Sequence, residues 1–180
     1  MSYLPNIITL FRIGMAPLLL LLFKDHQYVL AFYVFIIAGL SDALDGFIAK
    51  RFGYVSQLGA ILDPLADKLL VVTSYVMLTL DGHVPFWLLL TVVFRDLLIV
   101  AGYLIQVSMF GATQMRPSYP SKLNTFMQIL LVVVILGTQA FNLSMAVWIE
   151  ILIFAVFLTT VVSGLHYLWL WLAKREVVNE

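Results

Sequence analysis

Cysteine is absent from the 180 residues, which excludes disulfides, thiolate metal sites and thiol nucleophiles. Charge is almost as scarce. Asp, Glu, Lys and Arg make up 11% of the chain, against about a quarter in an ordinary water-soluble domain. Basic and acidic residues balance at 10 each, so no polybasic surface points to nucleic acid, and no nucleic-acid partner is expected. The first 25 residues have no basic start, no small-residue cleavage site and no Arg- and Ser-rich character. They do not read as a removable signal or transit peptide. Fixed-period repeats and low-complexity tracts are missing too, and the short loops leave no room for an attached soluble domain.

What fills the chain is apolar. It is 63% hydrophobic, with a mean hydropathy of +1.04. Six apolar runs, 7–24, 28–49, 57–80, 85–108, 122–141 and 145–171, approach or exceed the roughly 20 residues that cross a bilayer. Polar or turn-forming clusters separate them: "KDHQ", "KRFGY", "DGHVP", "GATQMRPSYPS" and "TQAFN". This predicts an all-α integral membrane protein with six transmembrane helices, forming a single domain over residues 1–180. Lys50, Arg51, Arg116, Lys122, Lys174 and Arg175 fall on the side shared by the termini and the second and fourth loops, and only Lys24 falls opposite. Basic residues favour the cytoplasmic face, so both termini are expected there.

Against that background, four aspartates stand out. Spans two and three form an antiparallel hairpin about a turn centred near Tyr54. Asp45 lies nine residues before that centre and Asp63 nine after it; Asp42 lies twelve before and Asp67 thirteen after. At about 1.5 Å rise per residue, the two pairs reach similar depths on their own helices. Asp42 and Asp45 are spaced i, i+3, and Asp63 and Asp67 i, i+4, so each pair occupies one helix face. If the faces meet, four carboxylates share a pocket just below the cytoplasmic surface. A single aspartate at the bilayer centre already costs about 2.5–3.5 kcal/mol on insertion scales. Protonation, basic partners or metal ions must therefore offset the charge. Hard divalent cations suit carboxylate oxygens, and Mg²⁺ keeps positions open for substrate phosphates. Two such ions about 4 Å apart stabilise attacking and leaving oxygens together. A salt-bridged structural network is the competing account. Gly46, Ala49 and Gly59 leave space beside the acids for a bulky ligand, or simply let helices approach closely. Pro64 is placed to loosen the third helix.

Written out, the stretch is D-x2-D-G-x2-A-K-x8-G-x3-D-x3-D, eight fixed positions over the 26 residues from Asp42 to Asp67. It resembles the signature of the CDP-alcohol phosphotransferase family, membrane enzymes that build phospholipids. "LPNIITLFRIGMAP" looks like that family's opening segment, and six helices is its number. Lys50 departs from the pattern, which has arginine there; lysine lacks the planar fork that grips phosphate bidentately. "GAILDPLADK", "FRDLLIV" and "SKLNTFMQI" are most similar to the phosphatidylglycerophosphate synthase and CMP-forming cardiolipin synthase branches.

The resemblance implies a reaction in which an alcohol displaces CMP from CDP-diacylglycerol. Phosphatidylglycerol as acceptor would give cardiolipin; glycerol 3-phosphate would give phosphatidylglycerophosphate. It implies two Mg²⁺ or Mn²⁺ ions held by Asp42, Asp45, Asp63 and Asp67, with Asp67 also the general base. Asp42, Asp45, Gly46, Ala49, Lys50 and Gly59 would bind the cytidine diphosphate. It further implies a homodimer, placed in a bacterial inner (cytoplasmic) membrane with its active site facing the cytoplasm.

Outside the motif, Arg95 lies mid-span, where an unpaired charge is costly, so it either binds an acceptor phosphate or pairs with adjacent-turn or cross-helix acids. Arg116, Ser121 and Lys122 sit at the cytoplasmic edge, as acceptor contacts or as plain topology determinants. Arg12, with Asn6 and Thr9, either faces the same cavity or snorkels. His26 and His83 carry no assigned chemistry, and His166 reads as a packing contact. Intramembrane acids also mark ion pathways, so a transporter stands as the alternative. Carriers tend to show matching broken halves, whereas these acids are concentrated in one hairpin.

Overall fold

The computed structural model describes the backbone of residues 4–52, 57–110 and 118–176, and the side chains of residues 13–41, 68–102 and 118–169. Among the described residues the structure is all-helical. Six helices follow in order: α1 Leu4–Lys24, α2 Tyr28–Phe52, α3 Gln57–Leu80, α4 Phe86–Phe110, α5 Tyr119–Phe141 and α6 Ala146–Glu176. Each coincides with one of the six apolar runs to within three residues at either end, except that α6 runs five residues further. α3 is unbroken through Pro64, so the proline does not interrupt it.

The turn clusters act through a common device. His26, Gly82 and Asn142 adopt left-handed backbone conformations just past α1, α3 and α5, with φ of 52°, 77° and 51°. Behind α1, Gln27 N–H donates to Leu22 C=O at 2.8 Å and His26 N–H to Phe23 C=O at 2.9 Å. Behind α3, His83 N–H donates to Leu78 C=O at 2.8 Å and Gly82 N–H to Thr79 C=O at 3.1 Å. Leu143 N–H reaches Thr138 C=O at 3.0 Å behind α5. These bonds satisfy carbonyls that the end of a helix leaves without partners. The helices stop there because the chain turns left-handed.

The chain divides into two compact units. The first comprises Met1–His83 and Val132–Met145. In it α1 packs on both α2 and α3. Met15, Ala16, Leu19 and Phe23 of α1 are buried, as are Ala31, Phe35 and Ala38 of α2 and Leu70, Val71, Tyr75 and Leu78 of α3. These positions recur at three- and four-residue spacing, one stripe per helix. The Phe32 ring packs beside Gly137, within van der Waals reach of where a Cβ would stand. The exposed faces are also apolar: Leu18, Leu21, Val29, Tyr33, Ile37 and Leu40 are uncovered.

The second unit comprises Val84–Leu131 and Ala146–Glu180. α4 packs on α6, burying Leu88, Val92 and Arg95 of α4 and Val156, Thr160 and Ser163 of α6. Trp87 meets Phe157 edge to face, with ring centroids 5.3 Å apart. Along α6, Val147, Ile151, Phe154, Leu158, Val162, Leu165 and Trp169 form an exposed apolar stripe. Tyr119–Phe141 and Ala146–Trp169 are long and apolar enough to cross a membrane.

Candidate functional site

The signature residues fall on two helices. Asp42, Asp45, Gly46, Ala49 and Lys50 lie on α2, and Gly59, Asp63 and Asp67 on α3. Their side chains are outside the described ones, and Arg116 is outside the described residues altogether. What the structure supplies is register. The Tyr28 hydroxyl, at the start of α2, donates to Asp81 Oδ2, just past α3, at 3.1 Å. The same hydroxyl lies 3.1 Å from His26 Nδ1. From this contact Asp42 is fourteen residues along α2, and Asp67 is fourteen residues back along α3. Both backbone positions are therefore about 21 Å from it along continuous helix. Asp45 and Asp63 stand seventeen and eighteen residues from the same contact. Counted from that contact, the four acidic positions fall in two pairs at similar residue distances along their helices.

His83 belongs to the same end of the first unit. Its ring meets Tyr28 edge-on at 6.3 Å, and its Nδ1 lies 3.4 Å from Gln139 Nε2. Both histidines left without assigned chemistry are thus parts of a polar clasp that ties helix ends together.

A separate polar group occupies the second unit, around Arg95, which is 5% exposed. Its Nη1 donates to Asp96 Oδ1 at 2.8 Å. Its Nη2 donates to Ser121 Oγ and to Ser163 Oγ, both at 2.6 Å. Nε adds a second, longer bond to Ser163 Oγ at 3.2 Å. The charge that looked costly mid-span is therefore paired with an adjacent acid and bonded to two hydroxyls. A Cβ added to Gly164 would lie 3.8 Å from Arg95 Cγ, so the stem of the side chain runs over this glycine. Deeper in the unit, the Thr159 and Thr160 hydroxyls lie 3.0 and 2.8 Å from the Asn124 amide oxygen. Lys122, next to Ser121, is exposed, with Nζ 5.9 Å from the centre of the Tyr119 ring. His166 stacks on Trp169 at 6.4 Å.

Of the predicted acceptor residues, then, Arg95 and Ser121 are bonded to each other, and Lys122 follows directly in sequence. Ser163 was missed, as was the Asn124–Thr159–Thr160 group. The available signal was spacing: Ser121, Asn124 and Gln128 recur every three or four residues, and Ser163 lies four and three residues after Thr159 and Thr160. Polar residues so spaced in an apolar helix mark an interhelical hydrogen-bonding stripe. Among the described side chains no three His, Asp or Glu gather closely enough to hold a metal ion; the four aspartates are not among those side chains.

A sequence profile of the CDP-alcohol phosphatidyltransferase family matches residues 2–172. The chain is 33% identical to the rat protein "Cardiolipin synthase (CMP-forming)", the match covering 91% of this chain and 60% of the relative. It is 30% identical to "Probable phosphatidylglycerophosphate synthase" of Mycobacterium tuberculosis, over 91% of this chain and 79% of that protein. It is 31% identical to "CDP-diacylglycerol--glycerol-3-phosphate 3-phosphatidyltransferase" of Blochmanniella floridana, over 74% of this chain and 73% of that one. The chain spans about 60% of the length of the animal cardiolipin synthases it matches.

Proposed function

Because the chain belongs to the CDP-alcohol phosphatidyltransferase family, an enzyme family, we propose that it moves a phosphatidyl group from CDP-diacylglycerol to a glycerol-type acceptor and releases CMP. The observation that carries this reading is the placement of the eight-position signature on α2 and α3, with Asp42 and Asp67 equidistant from the Tyr28–Asp81 contact. Phosphatidylglycerol or glycerol 3-phosphate is the acceptor, in line with relatives named cardiolipin synthase and phosphatidylglycerophosphate synthase.

The family is generally dependent on divalent metal, and the donor set here fits. Asp42, Asp45, Asp63 and Asp67 offer only carboxylate oxygens, the donors that Mg²⁺ and Mn²⁺ take. When bound there, such ions supply Lewis-acid stabilisation of diphosphate charge. The remaining work falls to the chain. Gly46, Ala49 and Gly59 leave room for the cytidine diphosphate, and Lys50 offers it a positive charge. The Asp67 carboxylate takes the proton of the acceptor hydroxyl as its oxygen bonds to the β-phosphorus, and the bond from that phosphorus to CMP breaks. An alcohol attacks poorly without such a base. Arg95, Arg116, Ser121 and Lys122 serve the acceptor end, with exposed Lys122 making the direct contact.

The apolar exposed faces support a bilayer setting. A soluble helix turns its polar face outward, whereas these helices uncover Leu, Ile, Val and Phe on the side away from the core. We place the chain in a membrane as one domain of six crossings, with both termini and the signature on the cytoplasmic side; in a bacterium this is the inner membrane. A homodimer belongs to the same reading.

The test is CMP release from CDP-diacylglycerol by the purified chain in detergent, with magnesium and each acceptor in parallel, followed by identification of the lipid product. Equimolar CMP and new phospholipid support the assignment, and the productive acceptor names the branch. No CMP with either acceptor, together with ion flux in vesicles, would favour a transporter.

A further inference from the structure

We propose that Ser163 of α6 is a positioning residue for the acceptor end: by holding the Arg95 guanidinium it fixes Ser121, and with it the first turn of α5 and the ammonium group of Lys122. The inference rests on the acceptor role assigned above to Lys122 and deepens it.

A guanidinium has five N–H donors, and hydrogen bonds within the chain occupy four of those of Arg95, two of them to Ser163. The planar fork that would take a phosphate bidentately is therefore spent on Asp96, Ser121 and Ser163. Arg95 acts on its neighbours, with little capacity left for a ligand. Ser163, fully buried, accepts from both Nε and Nη2 and so sets the plane of the group. Asp96 alone would hold it by Nη1 only.

The element being held is the first turn of α5, which lies ahead of the next anchor, Asn124, bonded to Thr159 and Thr160 of α6. α5 begins at Tyr119, and the first turn of a helix has no intrahelical partner for its own N–H groups. Tyr119 is 89% exposed and contributes no packing, and Leu123 is 54% exposed. The Lys122–Tyr119 contact is local to the turn. The Ser121–Arg95 bond at 2.6 Å is what ties this turn to α4, and Ser163 extends the tie to α6. Lys122 is the next residue after Ser121, so its ammonium inherits the position of that bond.

Two measurements test the idea in the full-length chain. The first is steady-state kinetics with both substrates varied, for the wild type, Ser163→Ala and Ser163→Thr. Loss of a hydroxyl bonded to a charged group should raise KM for the acceptor about tenfold in Ser163→Ala, while KM for CDP-diacylglycerol stays within about twofold. Ser163→Thr, which keeps the hydroxyl, should restore the wild-type value. An unchanged acceptor KM, or parallel shifts in kcat and both KM values, would overturn the proposal. The second uses the lack of cysteine: Lys122→Cys gives a unique attachment point for a nitroxide label. Its spectrum should show greater mobility when Ser163→Ala is added, and equal mobility would refute the positioning role. Should the wild type release no CMP, the functional reading fails by itself, and label mobility still decides whether Ser163 holds the turn.

Discussion

Tyr28 and Asp81, 53 residues apart in sequence, are joined by a 3.1 Å hydrogen bond between the first residue of α2 and the residue that follows α3. The bond joins the start of α2 to the end of α3, two helices that both pack on α1. Removing the phenolic hydroxyl in Tyr28→Phe leaves Asp81 and His26 without it. The variant should be destabilised by about 1 kcal/mol, measured by thermal unfolding in detergent. Unchanged stability would show that packing alone holds these helix ends.

Gly82 should be intolerant of a side chain for a reason confined to the backbone. Its φ is 77°, and nothing lies within 4 Å of an added Cβ. Gly82→Ala therefore meets no clash, but forces an L-residue into the left-handed region at a cost of about 1–2 kcal/mol. Thermal unfolding of this variant beside Gly14→Ala, a glycine with equal space and no positive φ, separates conformation from crowding. Only the former should lower stability through backbone strain.

Asp67→Asn keeps size and shape and removes the proton acceptor. Its rate of CMP release should fall by about 10²–10⁴-fold, the range of general-base contributions, while the protein elutes and unfolds like the wild type. A near-normal rate would exclude Asp67 as base.

Chelation offers a further test. EDTA should stop CMP release, and excess Mg²⁺ or Mn²⁺ should restore it, because all four candidate ligands are carboxylates. Activity that survives exhaustive chelation would leave the acidic residues with another role.

Much of this was legible in the sequence, and the reasons differ by element. Helix positions follow from apolar runs whose length a bilayer dictates, and their ends from turn residues such as Gly82 and Asn142. The aspartate spacing was visible because each acid is conspicuous in an apolar run. Ser163 was not, because a lone serine in a membrane helix looks like any small packing residue. Its partner, Arg95, is 68 residues away, and only the packing of α4 on α6 brings the two together. The outcome for Arg95 also needed coordinates. Pairing with an acid one turn away or on another helix was one of two readings; the acid that pairs with it is instead the next residue, Asp96.

The central claim is that α2 and α3 hold a pair of divalent cations between their acidic residues, and Mn²⁺ electron paramagnetic resonance addresses it most directly. Titrated into the purified chain, Mn²⁺ should saturate at two ions per chain and give the spectrum of a spin-coupled pair about 4 Å apart, abolished by Asp45→Asn. Signals from isolated Mn²⁺ alone, insensitive to that substitution, would contradict the account.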